Sequence, residues 1–221
     1  MDEKMLKRIE DGRQYRSMTV EIAGESEDMV VEGYASTFEQ PYDLYSFKDK
    51  NGARHQVREV ISRDAFQGAD MSDVIMQYDH MGRVFARRSN GTLQIMEDDH
   101  GLKIMADLSG TTLGRQLYEE IQGGYTNKMS FGFSIADDDT VPDGADYLHT
   151  IRKIGKLYDV SAVSLPANDF TEISARSQID GAIAVIEAER LQAEEEAKRL
   201  EQERESLRKR IEALKGEMHG D

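Results

Sequence analysis

The stretch Lys128-Met129-Ser130-Phe131-Gly132-Phe133-Ser134 decides how the fold of this chain is interpreted. Apolar residues alternate with small polar ones, which predicts a strand with one buried face. Ser130 lies on the opposite face, and Gly132, two residues further along, has no side chain to crowd it. The strand therefore presents a hydroxyl group beside open space, although an ordinary strand with a polar outer face fits the same pattern.

Similar alternating runs occupy much of the chain on both sides of this stretch. A helix is expected after Thr111-Thr112, because a threonine can cap it and Leu113, Leu117 and Ile121 share one face. A shorter helix is expected near residues 63–66, and the acidic residues 137–144 are expected to form an exposed loop. The sequence therefore predicts a mainly β domain of the α+β class. The predicted strands are 19–22, 30–36, 74–78, 93–96, 102–108, 129–135 and 160–165.

The composition changes near residue 178, where Glu, Arg, Lys, Ala and Leu begin to dominate. A heptad pattern places Leu200, Leu207 and Leu214 at one core position, whereas Arg190 and Arg204 weaken the other. This pattern predicts a charged helix with coiled-coil tendency that associates with itself or docks on a partner helix. A single solvated helix is the alternative. The predicted organisation is an N-terminal arm (1–17), a β domain (18–177) and this C-terminal helix (178–221).

Charge and composition exclude several classes of protein. The net charge is −15, from 28 basic and 43 acidic residues, which argues against binding to nucleic acid or to an anionic membrane. The absence of cysteine excludes disulfides and thiolate metal sites. No run approaches the ~18 apolar residues of a membrane span, and the N-terminus lacks the apolar core of a signal peptide. We therefore expect a soluble, intracellular protein.

A serine nucleophile needs a base, and the chain has five histidines. His55 and His100 lie in predicted turns, His149 lies beside the acidic residues, and His219 lies in the terminal tail. His80 ends a predicted strand, so it is the histidine that a folded scaffold is best placed to hold. A metal-dependent hydrolase is disfavoured, because no close pair of the His-Glu-x-x-His type occurs.

Short sequence blocks follow one another in a fixed order around the Ser130 strand. Together they resemble the tailed-phage prohead proteases, the serine endopeptidases that mature procapsids. The resemblance covers about residues 30–168. Besides the Ser130 strand, the blocks are Gly33-Tyr34-Ala35-Ser36-Thr37-Phe38, Glu59-Val60-Ile61-Ser62-Arg63-Asp64-Ala65-Phe66, Met76-Gln77-Tyr78-Asp79-His80, residues 91–102 and residues 157–168.

The resemblance implies roles for individual residues. It places the nucleophile of the family at Ser130 and its catalytic histidine at His80. Asp159 stands where the family tends to carry Glu or Asp, and it is our candidate for the carboxylate that orients the imidazole. Asp79 is a weaker candidate, because neighbouring strand residues point to opposite faces. For stabilising the oxyanion, the candidates are backbone N–H groups, a bound water, or Arg152, which is suggested only by its place between Ser130 and Asp159 in the sequence.

The resemblance also implies a fold and a biological setting. The expected fold is the small antiparallel β-barrel, with flanking helices, that prohead proteases share with herpesvirus assemblins. The expected enzyme uses no metal or organic cofactor. It cleaves the scaffold, or the scaffold-like extension of the major capsid protein, and itself, inside the procapsid in the infected bacterial cytoplasm. The alternative is a non-enzymatic capsid scaffold protein that acts through its C-terminal helix.

Overall fold

A computed structural model describes residues 3–18, 28–164 and 169–217 of the chain. The described part is mostly β-sheet with a long C-terminal helix, which confirms the α+β class. The predicted strand 19–22, the last residue of the predicted strand 160–165, and His219 lie outside the described residues. The helices are α1 (Glu3–Glu10), α2 (Thr112–Gln122) and α3 (Asp169–Glu217). The strands are β1 (Gln14–Met18), β2 (Val30–Thr37), β3 (Tyr42–Lys48), β4 (Arg54–Ile61), β5 (Ile75–Tyr78), β6 (Met81–Arg87), β7 (Leu93–Glu97), β8 (Gly101–Asp107), β9 (Lys128–Asp143) and β10 (Asp146–Val163).

The larger sheet is built around the long hairpin of β9 and β10. Strand β1 pairs antiparallel with β9, while β4 and β5 both pair parallel with β10 at different points along its length. Strand β3 extends the sheet beyond β4, and β6 extends it beyond β5. Among the described strands the pairing follows an open, branched path from β1 to β3. The second sheet has the order β2-β8-β7.

The core lies on the apolar face of β9. Met129, Phe131 and Phe133 are completely buried, as their alternation predicts. Helix α2 also contributes to the core, and Leu117 and Ile121 on its inner face are buried. Burying each such side chain contributes about 1.5–3 kcal/mol. The packing of these side chains fixes the position of β9, and with it the backbone of Ser130 on the opposite face of the strand.

Helix α2 begins and ends close to where its sequence predicts. The side chain of Thr111 accepts a hydrogen bond from the Gly114 backbone N–H at 2.9 Å, which is the expected N-terminal cap. Residues 63–68, in contrast, form hydrogen-bonded turns and no helix. The turn bonds there span only three residues, and Gly68 has a positive φ of 81° that breaks any continuation.

The structure differs from the prediction at two strand ends. Residues 137–144 were expected to form a loop, but β9 continues to Asp143. Pairing with β10 supplies the backbone partners there, and Arg152 on β10 forms ion pairs with Asp137 and Asp139 at 3.2 and 3.4 Å. The predicted N-terminal arm contains strand β1, in which Tyr15 and Arg16 are buried. The sheet therefore begins before residue 18.

The chain divides into two compact units, Met1–Ile179 and Asp180–Asp221. The first unit contains both sheets. The second contains most of helix α3, in which Leu200, Leu207 and Ile211 are each about half exposed (46%, 49% and 51%). None of the described helices combines the length and apolar character that crossing a membrane requires.

Candidate active site

A tight hairpin turn between β5 and β6 positions His80. Tyr78 pairs with Met81, so Asp79 and His80 form a two-residue loop, and both have positive φ, 46° and 59°. Positive φ at both positions matches the twist of adjoining strands, and Asp and His tolerate it better than most residues. The Asp79 carboxylate accepts hydrogen bonds from the N–H and hydroxyl of Ser164, at 2.9 and 3.0 Å. Asp79 thus fixes the turn and does not contact the imidazole through its carboxylate.

The fold brings together Ser130, His80 and Asp159, which we call the Ser-His-Asp cluster. His80 Nε2 lies 2.6 Å from Ser130 Oγ, and His80 Nδ1 lies 2.5 Å from Asp159 Oδ1. Ser130 and Asp159 lie on the paired strands β9 and β10, while the pairing of β5 with β10 carries the histidine turn to them. All three side chains are buried, with at most 3% of their surface exposed. The cluster places a hydroxyl, an imidazole and a carboxylate in the order that acyl transfer to serine requires.

The surroundings of Asp159 favour its ionised form. Burial alone would raise the pKa of this carboxyl group, but its contacts with His80, the Ser161 hydroxyl and the Arg13 guanidinium together outweigh burial and lower the pKa. The Ser161 hydroxyl adds a hydrogen bond at 2.8 Å, and the guanidinium of Arg13 lies 3.7 Å away. An ionised Asp159 accepts from the Nδ1–H of the ring, which leaves Nε2 free to accept a proton from Ser130.

Gly132 makes room for the carboxylate of the cluster. A Cβ atom at this position would lie 2.5 Å from Asp159 Oδ2 and 3.0 Å from Cε1 of Tyr15. The sequence suggested that Gly132 leaves open space beside the Ser130 hydroxyl. The structure shows a different use, because the space is filled by side chains of the same molecule.

We expect Gly132→Ala to reduce catalysis by about 100-fold, because displacement of a catalytic group by about 1 Å has effects of this size. The added methyl group must displace Asp159, whose carboxylate is held by His80 and Ser161. Hydrolysis rates of a peptide substrate would measure the loss. Gly110→Ala is the matched control, because a Cβ there meets no atom within 4 Å. Equal activity in the two variants would contradict the steric role of Gly132.

The other candidate residues lie in separate surroundings. His55 contacts the Ala145 carbonyl, His100 packs edge-on against Tyr34, and the His149 ring lies 2.9 Å from the Thr140 hydroxyl. The proposed oxyanion residue Arg152 is engaged by the acidic end of β9. Within the described part of the chain, no group of three or more His, Cys, Asp or Glu side chains is arranged to hold a metal ion.

The N-terminal segment also contacts the cluster, which the sequence patterns did not predict. The Ser130 hydroxyl lies 2.8 Å from the carbonyl oxygen of Arg16 and so has a second possible acceptor besides the imidazole. The ring of Tyr15 packs edge-on against the histidine ring, with centroids 4.6 Å apart. The stretch Gln14-Tyr15-Arg16-Ser17 contains no alternating apolar residues, so nothing in it signalled a buried strand.

Comparison with known proteins identifies the family. A family model described as caudovirus prohead serine protease matches residues 14–182, more than half of the chain. The chain belongs to this family. It is 27% identical, over 168 residues, to the prohead protease of Enterobacteria phage HK97, an alignment that covers 73% of this chain and 66% of that protein. The chain thus spans just under two thirds of the length of this relative, and no solved structure matches it.

Membership in the prohead serine protease family confirms the resemblance that the sequence blocks indicated. The matched residues include the whole Ser-His-Asp cluster, and they begin at the first residue of β1. The family is one of serine proteases, which is the chemistry that the order of groups in the cluster can perform.

Proposed function

We propose that this chain is a serine endopeptidase in which Ser130 is the nucleophile, His80 the general base and Asp159 the orienting carboxylate. The observation that carries the proposal is the pair of contacts made by one imidazole, 2.6 Å to the serine hydroxyl and 2.5 Å to the carboxylate. The two partners bind opposite ring nitrogens, so the carboxylate fixes the tautomer that can accept the serine proton.

The reaction follows from this order of groups. As Ser130 Oγ attacks the carbonyl carbon of a peptide bond, its proton passes to His80 Nε2, and Asp159 stabilises the imidazolium. The imidazolium then gives its proton to the leaving amine, and the C–N bond breaks to leave an acyl ester on the serine. Water, activated by the same imidazole, cleaves the ester and restores the hydroxyl.

We place the enzyme in procapsid maturation, on the strength of its family. Its proposed substrates are the scaffold, or the scaffold-like extension of the major capsid protein, and the enzyme itself. Its proposed location is the interior of the procapsid in the infected bacterial cytoplasm. The small assemblin-like barrel is also only a proposal, because the described strands of the larger sheet follow an open, branched path.

A non-enzymatic scaffold protein is the second candidate, and the geometry of the cluster disfavours it. Such a protein has no need for a buried serine in contact with a histidine that is itself held by a carboxylate. Buried polar groups of this kind are costly unless they are mutually satisfied, so an inert protein would more simply carry apolar residues there.

A fluorophosphonate probe tests the enzyme proposal directly. Added to the purified protein as it is isolated, the reagent should label Ser130, which peptide mass mapping would locate, and it should block cleavage of an unfolded protein such as reduced casein. Prior incubation with a metal chelator should change neither result. Absence of labelling together with absence of cleavage would overturn the proposal in favour of the scaffold role.

We also propose that helix α3 mediates self-association through an apolar stripe that includes Leu200 and Leu207. Replacing both Leu200 and Leu207 with Glu should weaken self-association at least about 100-fold, because each buried leucine contributes about 1.5–3 kcal/mol. Sedimentation velocity across a range of concentrations would measure the change. A chain with Gln202→Glu and Ser206→Glu, at polar heptad positions, provides the control. If the leucine variant and the control associate equally, the stripe has no role in self-association.

A further inference from the structure

The N-terminal segment, from α1 through β1, covers the Ser-His-Asp cluster. The Arg16 carbonyl oxygen lies 2.8 Å from Ser130 Oγ, and Tyr15 packs on the histidine ring. Arg8 donates to the carbonyl of the same histidine at 2.9 Å, and Arg13 lies 3.7 Å from the aspartate. Four residues of one short segment thus touch all three members of the cluster, and the serine has no exposed surface.

Strand β1 lies on β9 in the way that a bound peptide adds to the edge of a sheet. Strand β1 is extended and antiparallel to the strand that carries the nucleophile, with Ser17 opposite Ser130 and Arg16 opposite Phe131. Addition of a peptide as an extra strand is a common mode of peptide recognition. In this register the Ser130 hydroxyl donates a hydrogen bond to the Arg16 carbonyl oxygen, so the Arg16–Ser17 peptide bond lies next to the nucleophile.

The side chain of Arg16 occupies a fully formed acidic pocket. It is completely buried, and its Nε and Nη2 atoms donate to the two carboxylate oxygens of Glu59 at 2.6 and 2.8 Å. Tyr42 also donates to Glu59, and the ring of Phe133 lies 5.6 Å from the guanidinium. Nη1 donates to the Tyr15 carbonyl at 2.9 Å, so the guanidinium is held in one orientation.

Electrostatics make this pocket selective for a cation. Burial would raise the pKa of Glu59, but the charge and hydrogen bonds of Arg16, together with the nearby His149 and the Tyr42 hydroxyl, outweigh burial and lower the pKa. The pocket therefore contains a buried carboxylate that needs a positive partner, since an unpaired buried charge is strongly unfavourable. The two oxygens of the Glu59 carboxylate accept two parallel hydrogen bonds from the planar guanidinium of arginine. The ammonium group of lysine cannot form this pair of bonds.

We propose that the Glu59 pocket selects substrates with arginine immediately before the scissile bond, and that β1 is the first such substrate, cut between Arg16 and Ser17. This inference rests on the proposed endopeptidase function. In the cut, the Ser130 Oγ–carbonyl carbon bond forms, the C–N bond to Ser17 breaks, and His80 transfers the serine proton to the new amino group. Water then releases a carboxylate at Arg16. Loss of the covering strand opens the pocket for arginine-containing segments of other proteins.

Self-cleavage of the full-length chain is the first test. Intact mass and N-terminal sequencing should show a new terminus at Ser17 that a Ser130→Ala chain never develops. Arg16→Gln should slow this cut about 100-fold, because it removes one partner of a buried charge pair. The double variant Arg16→Glu with Glu59→Arg reverses both charges and should restore cutting at the same bond. If this double variant cuts no faster than Arg16→Gln, the buried pair only ties β1 to β4 and the proposal fails.

Cleavage of added peptides is the second test. Once self-cleavage has removed the covering strand, the enzyme should cut peptides that differ only in the residue before the scissile bond with arginine preferred over glutamine. Glu59→Gln should reduce that preference about 100-fold. Glu32→Gln is the matched control, since Glu32 is also an ion-paired strand residue but binds Lys103 in the other sheet. Circular dichroism checks that each variant is folded, and Tyr42→Phe, which removes one donor to Glu59, gives a milder second variant.

The two tests separate failure of the inference from failure of the enzyme proposal. Cleavage that depends on Ser130 but shows no preference for arginine, or a preference that Glu59→Gln leaves unchanged, overturns the pocket assignment alone. If Ser130 neither reacts with a fluorophosphonate nor supports any cleavage, the endopeptidase proposal and the pocket assignment are both overturned.

Discussion

Ser130→Ala is expected to lower kcat for peptide hydrolysis about a million-fold, to the residual rate that oxyanion stabilisation and substrate binding supply. The variant retains the core, because Ser130 lies on the face of β9 opposite Phe131 and Phe133, but it has no oxygen to form the acyl ester. His80→Ala should be as damaging, since the serine would then have no base within reach. Progress curves with a fluorogenic peptide would measure both losses.

The double variant of Ser130 and His80 should be hardly slower than either single variant. Groups that act as one unit in a reaction are strongly non-additive, whereas independent contributions would multiply. Ser134→Ala, at the next but one position on the same face of β9, is the control and should keep wild-type activity. A Ser130→Ala chain that hydrolysed the peptide at the wild-type rate would remove Ser130 from the role of nucleophile.

Sequence patterns predicted the parts of the fold in which buried residues recur regularly, at every second position in a strand or on one face of a helix. The alternation around Ser130 and the spacing of Leu117 and Ile121 each describe one buried face, so a strand and a helix could be predicted from residue order alone. The cap at Thr111 followed from its hydroxyl, which satisfies a backbone N–H that no helical carbonyl can reach.

The patterns failed where tertiary contacts replaced local preference. Strand β1 is polar, yet Arg16 is buried because Glu59, far away in sequence, supplies its charge partner. The acidic end of β9 has the composition of a loop, yet β10 supplies its hydrogen-bond partners and Arg152 neutralises Asp137 and Asp139. No property of either segment alone predicts a partner that folding brings from elsewhere.

Membership of the candidate site was predictable, but its geometry was not. The residue order and the family resemblance selected Ser130, His80 and Asp159, and the structure brings these side chains into contact. Asp79 does not orient the imidazole in this structure, but the physical reason differs from the predicted one. Asp79 lies in a turn with positive φ and binds Ser164, whereas the expectation treated it as a strand residue facing away.

Asp159→Asn is expected to lower kcat about ten-thousand-fold while leaving the fold intact, because loss of a triad carboxylate in a serine protease has an effect of this size. An amide can donate to His80 Nδ1 and hold the ring in the tautomer that carries its proton on Nε2. That nitrogen then cannot accept the proton of Ser130, although the three side chains keep their positions. Fluorophosphonate labelling of Ser130 should slow along with peptide hydrolysis, because both require the activated hydroxyl.

Asp79→Asn is the matched control for this carboxylate, because it makes the same chemical change one residue from His80. Asn tolerates positive φ at least as well as Asp, and its carbonyl oxygen can still accept from Ser164, so the turn and the activity should persist. Proton NMR provides a second measurement, since a short His80–Asp159 hydrogen bond should give a strongly downfield Nδ1–H resonance. That resonance should disappear in Asp159→Asn and remain in Asp79→Asn. If Asp79→Asn instead lost activity and Asp159→Asn kept it, the orienting carboxylate would be Asp79, and the contact between His80 and Asp159 would be structural.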